Sequence, residues 1–419
     1  MRFFAANKNR RAPVFVFSGK ESARRVEAEI WVSSFPARTA IFRKHKQIYR
    51  RREVSPLPHD SVGILLGSPV IHKILSGKPT YERAELYFEC GHRIGLTPVL
   101  FNLEGLDLTK EQVSGYVWSP TSKRYLRTVQ PLPRVIHKRI LSSSPKLASL
   151  FRKLGKRLFN PPINRNKLRI HALLRQNARL KPHLPETRGG NHWDAVPKMF
   201  QRHPVIFIKP VVGSLGHSIL KIEATGDGRY LLQSHRGKNQ SLSEDQLKRF
   251  LSKLFSSQRD FFLQQGISLA KYRGSPFDLR VSVQKGAEGR WEISGAVAKV
   301  APRKGILTNL SQNGRAVPAK TVLSHAFPGR NPEDLLEKIY DLSLEICQTL
   351  EKSHPGFADA GLDIGIDQRG KPWFIEVNFR DLRYSFRSAG EPQMFQNTYF
   401  HPMCYAKFLL SAGQQASAD

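Results

Sequence analysis

The sequence predicts an α/β chain built from several units, and three stretches carry that reading. Val62-Gly63-Ile64-Leu65-Leu66 is an apolar strand, followed by a helical pattern over residues 81–94 and a second strand at 98–101. That is the alternation of an α/β unit. Val205-Ile206-Phe207-Ile208-Lys209-Pro210 and Ile219-Leu220-Lys221-Ile222 are strands on either side of a Gly-Ser loop. Residues 361–378, GLDIGIDQRGKPWFIEVN, read as a tight β-hairpin with strands at 361–367 and 373–378. Gln368-Arg369-Gly370-Lys371 supplies turn chemistry between them.

In chain order, residues 1–60 hold short alternating stretches, Val14-Phe15-Val16-Phe17 and Ala28-Glu29-Ile30-Trp31-Val32. They predict a small β-rich, basic module, ended by Pro56 and Pro58. The α/β unit occupies residues 61–165. A basic linker over 146–169 leads into a helix at 170–179. Residues 166–410 form the main part, with a lid at about 200–270 and the hairpin part at about 271–410. Within it, residues 334–351 read as an amphipathic helix with Leu335, Ile339, Leu342 and Ile346 on one face. Residues 411–419 are expected to be a flexible tail. A length of 419 residues fits this division into roughly two to four domains.

Composition excludes several classes. Hydrophobic residues make up 40%, enough for real cores. Cys90, Cys347 and Cys404 are scattered with no C-x-x-C, so neither a disulfide framework nor a zinc cluster is supported, and a reducing, cytoplasmic compartment is expected. The 14 histidines include no H-E-x-x-H. MRFFAANKNRR lacks an apolar core, so it is not read as a secretory signal. No apolar run approaches the ~20 residues of a membrane span. There is no G-x-S-x-G and no Cys/His pair with nucleophile spacing. The formal net charge is +33 and lies almost wholly in residues 1–260. It predicts attraction to polyanions, including an anionic polymer, an anionic surface or, non-specifically, nucleic acid. A solvated basic face is the plainer alternative.

The hairpin places Asp363, Glu376 and Asn378 together. If the turn centres between Arg369 and Gly370, Asp363 lies opposite Glu376, and Asn378 shares that face. Three oxygen-bearing side chains would suit a hard cation such as Mg²⁺, with phosphates completing its shell. Acidic residues on a hairpin are more often simply solvated. Glu376, however, sits inside the apolar run Trp373-Phe374-Ile375-Glu376-Val377, where a buried carboxylate needs a metal or a cation. Lys209 ends an apolar strand before Gly213-Ser214-Leu215-Gly216, an arrangement able to hold phosphate through backbone N–H groups and an ammonium. It matches neither G-x-x-x-x-G-K-[ST] nor G-x-G-x-x-G, and an ordinary turn is the plainer reading. Phe261-Phe262-Leu263-Gln264-Gln265-Gly266-Ile267 is a buried strand running into a linker. Asp278 and Arg280 share one strand face, as a local ion pair or as a ribose or phosphate contact.

The order of these elements resembles the ATP-grasp superfamily, and within it the endospore coat-associated YheC/YheD-like proteins. VGILLG at 62–67, residues 115–140, LPET at 184–187, IKPVVGSLGHSI at 208–219, FDLRVSVQK at 277–285, LTNLSQNG at 307–314 and GLDIGID at 361–367 carry the likeness. It implies an ATP-grasp fold preceded by a pre-ATP-grasp domain. It also implies a ligase that uses ATP and Mg²⁺ (or Mn²⁺) to activate a carboxylate as an acyl phosphate for an amine or thiol. By the resemblance, Lys167 matches the earlier, cofactor-binding lysine of the central region, and Lys209 and the loop residues Gly213, Ser214 and Gly216 would hold the phosphates. Gln265, Gly266 and Ile267 would pair with adenine, and Asp278 would contact the nucleotide. Arg280, Lys299 and Asn309 would serve the acyl phosphate and substrate, and Asp363, Glu376 and Asn378 the metal.

The chain departs from the pattern where Asn378 is followed by Phe379-Arg380-Asp381 instead of a small residue, Pro and Gly. Lys299 stands where an arginine is common. The resemblance thus implies a sporulation-linked carboxylate–amine or –thiol ligase whose partners include coat proteins or an anionic polymer. The alternatives are a non-catalytic ATP-binding coat scaffold and a polyanion binder acting through the basic half.

Overall fold

In the computed structural model, three β-sheets follow one another along the described residues: 60–213, 218–234, 239–257, 259–303, 305 and 307–415. The β-rich module expected over residues 1–60 lies outside them, apart from Asp60.

The first sheet is the expected α/β unit. Ser61–Leu65 runs parallel to Thr97–Phe101 on one side and to Val135–Lys138 on the other. Two helices lie between the first two strands, Ser68–Leu75 and Ala84–His92, and the second is shorter at both ends than its pattern. A hairpin, Gln112–Ser119 with Arg124–Pro131, extends the sheet on one side. On the other, Leu158–Phe159 pairs parallel with Val135–Lys138. That strand corrects the linker expected at 146–169, as does a helix at Pro145–Leu154. Leu147, Leu150 and Leu154 recur at helical spacing and are buried under the sheet, while Arg152 and Lys153 face outward. The helix after it spans Lys167–Arg175, earlier than the 170–179 expected.

The second sheet is antiparallel, in the order Asn239–Leu242, Tyr230–Ser234, Leu220–Ala224, Val205–Pro210, Phe261–Gln265, Thr187–Gly189. Ile206, Ile208, Ile222 and Leu263 point to one face and meet Leu247 and Leu251 of the helix Glu244–Phe255. Ser243 and Gln246 close a capping box at that helix's start.

The third sheet runs Arg315–Pro318, Trp291–Val300, Ser275–Lys285, Asp359–Ile366, Pro372–Asn378, all antiparallel. Its apolar face packs on the helix Pro332–Ser353, whose Leu335, Ile339, Leu342 and Ile346 are buried. Asn331 accepts from Glu333 N–H and Pro332 takes the first turn, which explains the two extra residues at the helix start. The last helix, Pro392–Gln415, enters the segment expected as a tail. Its Tyr399, Met403 and Ala406 join the core of the first sheet. No helix among the described residues is long and apolar enough to cross a membrane.

Candidate functional site

A cleft of about 370 Å³ has walls from the second and third sheets. Strand alternation decides what enters it. Ile206 and Ile208 are buried behind the second sheet, so Phe207 and Lys209 face the cleft. Lys209 Nζ donates to Gln264 Oε1 at 2.6 Å, and Gln264 Nε2 donates to Thr187 Oγ1 at 3.1 Å. Burial, then the nearby Lys167 ammonium, brings the Lys209 pKa down to about 8, with Glu376 and Asp278 opposing. Gly213 lines the cleft, whereas Ser214 and Gly216 lie outside the described residues. Gln265 and Ile267 reach the wall and Gly266 does not. A Cβ on Gly266 would sit 2.5 Å from Val205 Cγ1, so close strand packing requires glycine there. The Gln265 and Gly266 N–H groups donate to Glu186 and Val205 carbonyls. Of residues 265–267, expected to pair with adenine, Gln265 and Gly266 thus have their N–H groups engaged by the protein's own carbonyls.

The third sheet contributes a transverse row. Arg280, Asp363 and Glu376 are direct neighbours across three strands, and Asp278 pairs with Lys299. Asp363 does lie opposite Glu376, but the turn differs from the expected one. Ile366 pairs with Pro372, so the turn centres on Arg369, and Ile375 is an extra residue that shifts the register by one. The Asp367 carboxylate accepts from the Arg369 and Lys371 N–H groups and holds this turn.

Charges in the row are tightly paired. Arg280 Nε donates to Asp363 Oδ1 at 2.8 Å, and Lys299 Nζ lies 3.0 Å from the same oxygen. Lys299 is also 3.2 Å from Asp278, which accepts from Thr308 Oγ1 at 2.5 Å. Burial opposes ionisation of Asp363, yet Arg280 and Lys299 hold its pKa at about 2. Burial, with Asp363 beside it, pushes Asp278 up. Asp278 and Arg280 therefore form no surface pair of their own; each is bound into this network.

Glu376 is less buried than its apolar run predicts, with 31% of its side chain exposed, and its partner is Lys167 at 3.3 Å. Asn378 Nδ2 is buried with no partner. Asn309 lines the cleft just before the turn Leu310–Gln312. Among the described residues no group of three or more His, Cys, Asp and Glu side chains converges as a metal cluster. The donor set still fits a hard cation that also takes phosphate oxygens. Glu376 and Asn378 open to the cleft, and both cations on Asp363 sit on Oδ1 alone.

The segment Phe379-Arg380-Asp381, where the chain departs from the family pattern, is mostly framework. Phe379 packs against Phe357 in the third-sheet core. Asp381, fully buried, accepts from Arg280 Nη1 at 3.2 Å and from Ser282 Oγ. Gly361 makes room for it, since a Cβ there would lie 2.3 Å from Asp381 Oδ1. Phe379 and Arg380 line the cleft, and Asp381 does not. Sequence reasoning missed Asp381 and Thr308 as partners of the charged row and Gln264 as the partner of Lys209. The one available signal was a buried-strand glycine, Gly361, beside an acidic residue three positions past Asn378.

The family description "YheC/D like ATP-grasp" matches residues 155–409. The chain is 29% identical over 297 residues to "Endospore coat-associated protein YheD" of Bacillus subtilis (strain 168), covering 68% of this chain and 64% of that protein. It is 21% identical over 246 residues to "Endospore coat-associated protein YheC" of the same organism, covering 58% of this chain and 66% of that protein. The matched stretch thus spans just under two thirds of each relative. Among solved structures, the ATP-grasp ligase PsnB with a precursor variant, Mg and ADP is 16% identical with a TM-score of 0.44, covering 81% of this chain and 97% of that one. With the family description spanning more than half of its length, the chain belongs to the YheC/D-like ATP-grasp family.

Proposed function

We propose that the protein is an ATP-dependent ligase that activates a carboxylate as an acyl phosphate for attack by an amine or thiol. The observation that carries this is the meeting of two charge sets in one cleft. Lys167 and Lys209 lie on one side, and the Asp278–Lys299–Asp363–Arg280 row with Glu376 and Asn378 on the other.

In this reading Lys167 and Lys209 neutralise nucleotide phosphates. Lys167 moves from Glu376 to a phosphate oxygen, and Lys209 is held in place by Gln264. Asp278 orients the nucleotide, with Lys299 and Thr308 fixing its carboxylate. Arg280 is locked between Asp363 and Asp381 and keeps its guanidinium charge beside the transferring phosphoryl group without reorganising. Glu376, Asn378 and Asp363 would hold Mg²⁺, which would supply charge neutralisation to the nucleotide phosphates. Asn309 lies on the substrate side. No covalent nucleophile is required, and catalysis rests on positioning and charge neutralisation.

ADP release on incubation with ATP, Mg²⁺ and a panel of carboxylate–amine and –thiol pairs tests this. Turnover lost in Glu376→Gln supports the ligase. MgATP binding without turnover on any pair supports a nucleotide-binding coat scaffold, the role that the names of YheD and YheC bring to mind. Binding of polyanions that survives loss of Asp363 and falls steeply with salt would place activity in the basic half.

A further inference from the structure

One stretch of the cleft wall is more cationic than the proposed nucleotide chemistry uses. It is formed by Leu141, Arg165, Asn378, Arg380, Leu382 and Ser385. Arg165 is exposed and has no ion pair among the described residues. Arg380 is half-buried. Its Nη1 donates to Tyr81 OH at 3.2 Å and its guanidinium lies over the Tyr81 ring at 4.9 Å, both neutral partners. The nearby carboxylate of Glu82 is taken by Arg139 at 2.7 Å. Lys138 adds a third charge behind the wall, its Nζ donating only to the Ile140 carbonyl at 2.7 Å.

These cations feel one another. Burial, then Arg139, Arg165 and Arg380, brings Lys138 down to about 8. Uncompensated like charge of this kind is costly unless a counter-anion arrives. Unsatisfied polar atoms lie along the same wall. Arg380 Nε, Asn378 Nδ2 and Ser385 Oγ are buried without partners, and Ser385 is only 2% exposed. Buried donors of this sort are normally satisfied. An oxyanion is the one group that answers both the charge and the open donors.

We infer that this wall binds an anionic group of the substrate remote from the reacting carboxylate, so the substrate is a dicarboxylate or a phosphorylated carboxylate. Arg380 and Arg165 pair with its distal oxyanion, and Ser385 and Asn378 donate to it. The inference rests on the ligase reading for the position of the reacting end, and on the wall itself for the distal end.

Three probes that share a carboxylate and differ only at the far end test it: pentanoate, glutarate and 4-phosphonobutyrate. Their binding is measured by calorimetry on the full chain, with and without saturating MgADP. The expected result is binding of glutarate or of 4-phosphonobutyrate about tenfold tighter than pentanoate, the scale of one charge-assisted contact. Whichever anion leads identifies carboxylate or phosphate as the distal group. The preference collapses in Arg380→Met and in Arg165→Ala, while MgADP affinity is unchanged. Arg165 is exposed, so its variant reads the site even if Arg380→Met fails to fold. Equal binding of all three probes overturns the inference, as does a preference that survives both substitutions, or a matching loss of MgADP affinity. If MgADP does not bind at all, the ligase reading fails, and the nucleotide-free titrations still decide the distal site.

Discussion

Asp381 shows how a single buried carboxylate sets the state of the charged row. It is fully buried and carries Arg280 Nη1 and Ser282 Oγ on its two oxygens. Removing it leaves the Arg280 guanidinium with Asp363 alone in a low-dielectric setting. Asp381→Ala is therefore expected to lower unfolding free energy by about 3–5 kcal/mol, with Asp381→Asn between it and the wild type. Denaturant titration checks this, and a loss of under about 1 kcal/mol would show that Arg280 does not depend on it. Lys209 makes a different prediction at the same scale. Its pKa lies near 8 in the fold against about 10.4 unfolded. Below 8 both states hold the proton, so the cost of burying the ammonium is present in full. Between 8 and 10.4 the unfolded state binds more protons, so this group's contribution to stability rises with pH. Phosphate affinity should move the other way. MgADP binding is expected to weaken as pH rises through 8 and above, and Lys209→Arg to remove that dependence, read by calorimetry at a series of pH values.

At the scale of elements, legibility followed locality. The Val205–Pro210 strand was readable because alternate residues, Ile206 and Ile208, are buried and leave Phe207 and Lys209 on the opposite face. The pairing of Asp363 with Glu376 was reached, but through a turn centre that the structure moves and a bulge at Ile375 restores. A bulge leaves no composition mark in Trp373-Phe374-Ile375, so nothing local revealed it. The tie from Asp381 to Arg280 was not legible, because it depends on Gly361 lying between them in the folded sheet. The helix Pro145–Leu154 was missed for another reason. Its lysines and arginine dominated the reading, while Leu147, Leu150 and Leu154 carry the fold. Leu150 is fully buried in the core of the first sheet. Leu150→Ala should cost about 2–5 kcal/mol as a core cavity. A basic linker would lose nothing measurable, so denaturant unfolding separates the two.

Across the whole described unit, one buried polar network joins elements distant in sequence. Asp359 of the third sheet receives Arg139 at 2.9 Å and His137 at 3.0 Å from the first sheet, and Arg383 at 2.8 Å. Arg139 also pairs with Glu82, and Arg383 lies over the Tyr399 ring of the last helix. Asn160 adds a neutral link, accepting from the Ala358 and Asp359 N–H groups. The network holds the sheet that bears Asp363 and Glu376 against the first sheet, so its acid response should be that of one cooperative unit. Burial is the leading influence on His137 and brings its pKa down to about 3 despite Asp359 beside it. Its ring is neutral in the fold, donating from Nε2 to the Asp359 carboxylate. The unfolded ring takes a proton below about 6.5. Between 6.5 and 3 the unfolded state thus binds one proton more, and stability falls as pH falls, by up to about 1.4 kcal/mol per pH unit. Asp359 adds to the loss only at lower pH. Arg383 and Arg139 hold its pKa far below the usual carboxylate range, so its contribution persists above about 3.9 and disappears beneath it. His137→Gln is expected to flatten the stability profile between pH 6.5 and 4 while leaving the steep loss below 4 in place. Asp359→Asn should remove that lower step and cost about 3–5 kcal/mol at neutral pH, by stranding Arg383 and leaving Arg139 with Glu82 alone. Urea titrations at stepped pH measure both slopes, and an unchanged slope between 6.5 and 4 in His137→Gln would show that the imidazole gains its proton within the native fold.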